Sequence, residues 1–396
     1  MKIYINKDRI ILYLLLFISF MPRYFYSFSI GNIITKILQF IAVSFIFVCV
    51  IKSQKISKFA IILILVEIIC LISTLIKTPE SIFNWLYHIM MLFCIYGTFS
   101  IYIDKLKKEF IDVIANLFGI YAWINEILII LFPYGIWQDT SRKLTSYRYG
   151  YFLGIDNQMA YILIPTAIFV FLNYCFNEKK IYYLIFMTAP VILSIITLFP
   201  ATAVVAITIF VLLASLVLVG IKWINSFINE KTIVLLMVFV FVLLIFIQSY
   251  NSIVTYVVER VLGKNMTFTG RFELWKAAIK GFLDSPLIGN GQNNTGTLIV
   301  DGMDMGASAH NVILQFIYEH GIVAIIIFLL GCKDVIKKMK IYNNQKEMKI
   351  ILLGLFSIFV TFMMEVYSTY LLIGLLIVAY KYNELIETKH DYSETL

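Results

Sequence analysis

Two arginines and one histidine of this chain have side chains of the kind that bind anions and exchange protons. Arg148 lies in a basic cluster within residues 133–150, Arg271 opens an amphipathic stretch, and His310 stands just before a long apolar run. A guanidinium group offers a planar fork of N–H donors that suits phosphate oxygens. An imidazole changes its charge near neutral pH. These residue types therefore raise the hypothesis that they converge on an anionic substrate.

Each of these residues also has a plainer explanation. The arginines could reach lipid headgroups with their charged ends, or pair with acidic residues such as Asp139, Asp156 and Glu259. A single histidine near the start of a helix is commonly structural. The pattern alone leaves both explanations open, so the elements that position these residues decide between them.

Those elements are predicted to be membrane-spanning helices. The chain has 396 residues, of which 61% are hydrophobic and 14% charged, with a mean hydropathy of +0.89. Soluble domains are about 45–50% apolar and about 25% charged. The apolar residues also form long runs between short charged clusters, and a span needs about 20 apolar residues. We therefore predict an all-α polytopic fold with about twelve spans, at residues 10–28, 30–51, 59–76, 85–103, 110–132, 151–176, 181–198, 203–221, 232–250, 311–331, 350–365 and 368–380.

The distribution of basic residues predicts the orientation. Seven segments on one side of the predicted membrane hold 21 of the 32 Lys and Arg residues. An excess of basic residues on short loops marks the cytoplasmic side, so both termini are predicted to be cytoplasmic. Although the net charge is +8, the lysines lie between apolar runs rather than in one patch with exposed aromatics. This argues against nucleic-acid binding.

The same topology gives one transmembrane domain over residues 1–396 with a long outer loop at 251–310. A loop of this length is usually functional or disordered. Residues 271–283 have apolar positions at helical spacing, and Pro286 with Gly289 and Gly291 follows them. We therefore predict an amphipathic helix on the outer surface, ended by a glycine-rich turn.

Several motifs, taken in order, resemble the O-antigen ligase and polysaccharide polymerase family. They are Ser146-Tyr-Arg-Tyr-Gly150 with Gly154-Ile-Asp-Asn-Gln158, Gly270-Arg271 with Trp275, Pro286-Leu-Ile-Gly-Asn-Gly291, and Ala309-His310-Asn311 running to Gly321. The motifs cover about residues 150–320, and the span count and loop position extend the resemblance to most of the chain. One departure is visible at residues 199–203, where the family often carries Ser-Arg and this chain has Phe-Pro-Ala-Thr-Ala. Arg142 or Lys264 could replace that missing charge.

The resemblance implies a membrane glycosyltransferase with a GT-C-like fold at the bacterial cytoplasmic membrane and an active site facing outside. Such an enzyme transfers an oligosaccharide from undecaprenyl pyrophosphate to a growing polysaccharide acceptor, among membrane lipids and without cofactor or metal. A chain-length regulator is a further expected partner. Because the chain gives no sign of lipopolysaccharide binding, we favour a polymerase of repeat units over a ligase.

The resemblance also assigns roles to the residues. His310 and Arg271 are the expected catalytic residues, with His310 as general base for the acceptor hydroxyl. The arginines Arg148, Arg271 and Arg142 are expected to bind the pyrophosphate. Asn311, Trp275 and Asn157 are expected to support the site.

Three alternatives remain. Asp301 and Asp304 precede His310 and could bind a hard cation, although solvated carboxylates are the simpler interpretation. The ionisable residues Glu67, Glu126 and Lys36 lie inside predicted spans, as in a flippase or transporter. A scaffold for polysaccharide assembly would need none of these groups. The five cysteines lie in or beside apolar runs without a CxxC pair, so we interpret them as buried apolar residues rather than disulfides or metal ligands.

Overall fold

The computed structural model describes residues 6–53, 56–139, 148–198, 200–247, 268–293 and 296–386. These residues are mainly helical, as predicted. The α-helices are α1 (Lys7–Ser19), α2 (Ser29–Ser53), α3 (Lys58–Lys77), α4 (Ile82–Leu106), α5 (Lys108–Leu131), α6 (Ala160–Phe176), α7 (Ile181–Leu198), α8 (Ala201–Val219), α9 (Lys222–Phe227), α10 (Glu230–Ile247), α11 (Phe268–Asp284), α12 (Val312–Ile341), α13 (Lys346–Phe362), α14 (Tyr370–Tyr380) and α15 (Tyr382–Ile386). Short 3₁₀ helices occupy Arg23–Tyr26, Pro79–Ser81 and Asp156–Met159.

Within the described residues, eight helical segments are long and apolar enough to cross a membrane. They contain α2 to α8 and α12. The other four predicted spans coincide with α1, α10, α13 and α14, which have 13, 18, 17 and 11 residues. The total of twelve spans therefore remains a prediction.

Several predicted boundaries differ from the observed helices, and two of them concern the start of a span or the turn after it. The first span, predicted over 10–28, is helical only to Ser19, and Pro22 precedes a separate 3₁₀ turn because its ring cannot continue the helix. The sixth, predicted over 151–176, begins as α6 at Ala160. Residues 151–155 instead carry the backbone from strand β2 (Arg148–Gly150) towards the 3₁₀ turn before α6.

The centre of the bundle is α6, which packs against α5, α7 and α13. It is the most buried of the eight candidate spans, and Ile164, Ala167, Ile168 and Val170 are almost fully buried along it. In contrast, α2 exposes Ile30, Ile33, Ile37 and Phe40. A helix that is apolar all round belongs either in a core or in a membrane. Helix α6 fits the first case, and α2 fits the second.

Polar contacts mark the two ends of α6. At its C-terminal end, Asn173 donates to Asp112 over 3.1 Å, and the same carboxylate pairs with Arg9 (2.6 Å) and Lys179 (2.9 Å). At its N-terminal end, the loops that carry the predicted functional residues meet. We refer to the end of the bundle at the N-terminus of α6 as the loop end.

A small unit at the loop end contains α11 and the hairpin formed by β3 (Ile299–Val300) and β4 (Met303–Asp304). The predicted amphipathic helix at 271–283 is confirmed as part of α11. The apolar face of α11 packs with Leu298, Val300 and Tyr318 into a second core, in which Trp275 is fully buried. The hairpin was not predicted, and neither was the pairing of β1 (Trp137–Asp139) with β2, because strands of two or three residues leave too short a pattern to detect.

Helix α12 is broken at Gly321, whose φ of 67° and ψ of −174° lie outside the helical region. The glycine-rich turn at Pro286–Gly291 packs against α12 at this break. The N–H groups of Asn290 and Gly291 donate to the carbonyl oxygens of residues 318 and 319, over 2.8 and 3.0 Å. In return, the N–H groups of residues 322 and 323 donate to the carbonyls of Pro286 and Leu287, over 2.8 and 3.2 Å. The turn therefore supplies the backbone partners that a continuous helix would have given.

Side chains are excluded from this contact. A Cβ at Gly321 would lie 2.5 Å from the carbonyl oxygen of Leu287, and one at Gly289 would lie 2.5 Å from the backbone of Glu319. Both glycines also have positive φ. The Pro286–Gly291 motif is thus explained by close backbone approach.

Candidate active site

The carboxylate of Glu365 brings three of the predicted residues together at the loop end. Glu365 lies in the turn between α13 and α14. Its Oε1 accepts hydrogen bonds from Arg271 Nη2 and Asn157 Nδ2, each over 2.7 Å. Its Oε2 lies 3.0 Å from Nδ1 of His310. Residues from four distant segments of the chain therefore meet at one carboxylate.

Arg271 is positioned by helix α11. It lies in the first turns of α11, and Trp275 on the same helix packs edge-to-face on Phe272 with ring centroids 5.5 Å apart. Trp275 lies in the core of the loop unit and has no hydrogen bond to the described site residues. Its contribution is to fix the helix that presents Arg271.

His310 is held by the start of α12. It has a φ of 46°, an uncommon conformation for a residue with a side chain. Asn311 is the N-cap: its side chain accepts from the N–H groups of Ile313 and Leu314 over 3.0 and 3.1 Å. The same amide donates to the carbonyl of Met363 over 3.2 Å. Asn311 therefore joins the histidine segment to the turn that carries Glu365.

Asn157 approaches from the 3₁₀ turn that precedes α6. Its backbone carbonyl accepts a hydrogen bond from the Tyr367 hydroxyl over 2.6 Å. The turn with Glu365 and the turn with Asn157 are therefore joined twice, by Glu365 to the Asn157 side chain and by Tyr367 to the Asn157 backbone. This double connection limits how far the carboxylate can move.

The electrostatic balance keeps Glu365 ionised. Burial raises the pKa of Glu365, but the hydrogen bond to His310, the charge of Arg271 and the bond from Asn157 together lower it below its ordinary value of 4.5. An ionised carboxylate only accepts hydrogen bonds, so Nδ1 of His310 must be the donor. In the neutral ring, Nε2 is then the proton acceptor.

The site is partly accessible. The side chains of Arg271, His310 and Glu365 are 22%, 25% and 16% exposed. An imidazole oriented by a carboxylate is a recurring arrangement for a general base, and an adjacent guanidinium stabilises negative charge. The arrangement can therefore bind an anion and take a proton from a neighbouring hydroxyl.

Two predicted anion-binding residues are not placed by these contacts. Arg142 lies outside the described residues. The backbone of Arg148 lies in β2 opposite Asp139, but its side chain is outside the described part of the structure. Their roles stay predictions.

Glu365 was not among the residues predicted for the site. It was predicted to end a span at 350–365, whereas α13 ends at Phe362. A signal was available: an acidic residue sits in a very short turn between two strongly apolar runs. A charge at such a place requires a partner or a function.

The acidic pair considered for a hard cation is engaged within the hairpin. Asp301 forms an ion pair with Lys280, and Asp304 accepts from the N–H of Gly306 over 2.9 Å. Among the ionisable residues of the spans, Glu126 accepts from Ser194 over 2.7 Å, and Lys36 is exposed on α2. Glu67 belongs to a separate buried cluster.

The fold and the site define a multi-pass helical membrane protein with a charged site at one end of its bundle. Residues 189–329 match the family described as O-antigen ligase. Over these residues the match confirms the resemblance to the O-antigen ligase and polymerase family that the motifs predicted. Arg271 and His310 fall inside the matched range, whereas Asn157 and Glu365 fall outside it. No curated protein and no solved structure is significantly similar to the chain.

Proposed function

We propose that this membrane enzyme is a polysaccharide polymerase with a GT-C-like fold, which transfers a glycan from undecaprenyl pyrophosphate to an acceptor repeat unit. The transfer takes place at the outer leaflet of the bacterial cytoplasmic membrane, with both termini in the cytoplasm. The observation that supports this proposal most directly is the set of contacts from Arg271, His310 and Asn157 to Glu365. These contacts place an anion-binding group beside an oriented imidazole.

In the proposed reaction, the acceptor hydroxyl attacks the anomeric carbon of the donor glycan. The bond from that carbon to the phosphate oxygen breaks, and undecaprenyl pyrophosphate leaves with the bonding electron pair. Nε2 of His310 takes the proton from the hydroxyl. The leaving group is already a stable anion, so it requires charge stabilisation rather than protonation.

Arg271 supplies part of this stabilisation. A guanidinium has five N–H donors, so Arg271 can hold Glu365 and a phosphate oxygen together. Arg148 and Arg142 are the proposed further contacts to the pyrophosphate. Removing one preorganised donor of this kind costs about 10²–10³ in turnover in other enzymes.

The test is complementation of a deletion strain, followed by gel analysis of the surface glycan. Wild type restores a ladder of polymer lengths, whereas Arg271→Ala and His310→Ala are expected to give single repeat units in a host whose ligase displays them. Lys276→Ala is the matched control, because Lys276 lies on the same helix but pairs with Glu273 on the exposed face. A normal ladder from both site variants, with protein levels verified, would refute the catalytic assignment.

Ligase activity is the second candidate, favoured by the family description of residues 189–329. A ligase shares the donor and differs in the acceptor. Loss of a ligase would leave full-length polymer on its lipid carrier, whereas loss of a flippase would trap single units facing the cytoplasm. The same strains therefore separate the three activities when intact cells are first treated with added glycosidase and the lipid-linked glycans are then extracted and sized.

A further inference from the structure

A second cluster of reactive side chains lies inside the bundle, between α3 and α12. Glu67 and Cys70 are three residues apart on α3 and therefore share one face. His320 reaches them from α12, next to the break at Gly321. One ligand atom from each of the three lies within 4.8 Å of the other two. The residues are 5%, 0% and 4% exposed.

Several polar atoms of this cluster have no hydrogen-bond partner among the described residues. They are Oε2 of Glu67 and both ring nitrogens of His320. The carboxylate of Glu319 lies 4.0 Å from Nδ1 of His320, too far for a hydrogen bond. Burying such atoms without partners is energetically costly. A bound ligand would remove this cost.

The surrounding residues hold the three side chains in place. The ring of Phe316 stacks on His320 with centroids 4.3 Å apart. The other oxygen of Glu67, Oε1, lies 3.5 Å from Nε2 of His88. The second nitrogen of His88 lies 3.1 Å from the Tyr370 hydroxyl. Partners of this type orient the ligands of metal ions in proteins.

We propose that Glu67, Cys70 and His320 bind a zinc-class divalent ion. A thiolate, an imidazole and a carboxylate together suit zinc, whereas magnesium and calcium select oxygen ligands. In tetrahedral zinc sites the ligand atoms are about 3.3–3.8 Å apart, so the three side chains need to move together by no more than about 1.5 Å. Binding releases the thiol proton to solvent. The carboxylate and the thiolate then neutralise the charge of the ion.

The proposed ligands are different residues from those that contact Glu365. The ion connects α3 to α12 at the point where the Pro286–Gly291 turn docks. The same turn contacts α3, since Gln292 N–H donates to Thr74 Oγ1 over 3.0 Å. The metal therefore stabilises the part of α12 on which the outer loop rests. The assignment also changes the interpretation of Cys70 from an inert apolar residue to a ligand.

The test measures metal directly on the full-length chain, purified in detergent without a polyhistidine tag. After equilibration with micromolar zinc and removal of free metal, elemental analysis should find about one zinc per chain. Cobalt substituted for zinc should give the visible bands of a tetrahedral site and a near-ultraviolet thiolate-to-cobalt band. Absence of stoichiometric metal in the folded wild-type protein would overturn the proposal.

The variants identify the ligands. Cys70→Ala and His320→Ala should lose the stoichiometric ion, and Cys70→Ala should also lose the thiolate band. Cys94→Ala is the matched control, because Cys94 is also free and buried but lies on α4, outside the cluster. His88→Ala should keep the thiolate band but bind about tenfold more weakly. Equal metal in wild type, Cys70→Ala and His320→Ala would show surface binding only and refute the site.

Discussion

Replacing Glu365 by glutamine is the sharpest test of the proposed active site. The substitution keeps the size of the side chain but removes its charge. Glu365 makes three polar contacts, two of them with Arg271 and His310. An amide has one oxygen acceptor instead of two. The amide therefore cannot accept hydrogen bonds from both the Arg271 guanidinium and the His310 imidazole on opposite sides.

The expected loss of stability is moderate. Breaking a fully buried ion pair costs about 3–5 kcal/mol, whereas an exposed pair contributes about 0–1 kcal/mol. The side chains here are between one sixth and one quarter exposed, so we expect about 1–3 kcal/mol. The loss of activity should be larger, because a misoriented general base forfeits about 10²–10⁴ in rate. Most of the defect should therefore appear in turnover and little of it in folding.

The assay uses the purified chain in liposomes with a lipid-linked repeat unit, and measures polymer formed per folded protein. Glu365→Asp keeps the charge on a shorter side chain, and should recover part of the lost rate. Glu273→Gln is the matched control, since Glu273 is an exposed acid on the same face of the loop unit as Lys276. If Glu365→Gln retains wild-type turnover, the carboxylate does not orient the base, and the reasoning fails.

Four further outcomes are expected. The pKa of Glu365 is lowered in the folded state, so the ionised carboxylate stabilises the protein at pH values above its ordinary pKa of 4.5. This stabilisation is lost as the pH falls through the lower pKa of the folded state. The melting temperatures of wild type and Glu365→Gln should therefore converge on acidification from pH 7. Asn311→Ala removes an N-cap and should lower the free energy of unfolding by about 1–2 kcal/mol. Chemical denaturation in detergent measures this change, and an unchanged denaturation midpoint would contradict the prediction. Trp275→Ala should lower the free energy of unfolding by about 3–5 kcal/mol and make residues 268–284 sensitive to limited proteolysis. If the variant resists proteolysis there as well as the wild type does, this prediction is wrong. Gly321→Ala places a side chain against the Leu287 carbonyl at positive φ. Gly220 also has a positive φ but has open space around it, so Gly220→Ala is the control. Gly321→Ala should lower the melting temperature by several degrees more than Gly220→Ala, and equal shifts would count against the docking contact.

Much of the fold was predictable because lipid restricts the choices. Apolar runs of about 20 residues leave little alternative to helices, and the amphipathic spacing of residues 271–283 predicted α11. The resemblance to the family followed from motifs, and the match at residues 189–329 confirms it for that part of the chain. Arg271, His310 and Asn157 were selected from these motifs, and the structure brings all three to one carboxylate.

What could not be predicted depends on contacts between distant segments. Glu365 lies 94 residues from Arg271 and 208 from Asn157 along the chain, and no local pattern states that these residues meet. The break in α12 was hidden because Gly321 lies in a run that is otherwise helical in character. The zinc-class cluster was missed for the same reason, since Cys70 and His320 look like ordinary core residues within their own helices.

The backbone contact between Pro286–Gly291 and the break in α12 has a consequence for protein engineering. Exchanging residues 268–310 between relatives is an obvious way to make chimeric proteins. Here the loop is fastened into the membrane helix by four backbone hydrogen bonds, and each unpaired backbone group in lipid costs several kcal/mol. A chimera that replaces 268–310 without residues 318–323 would leave those groups without partners. The transferable module is therefore the loop together with α12 as far as residue 323.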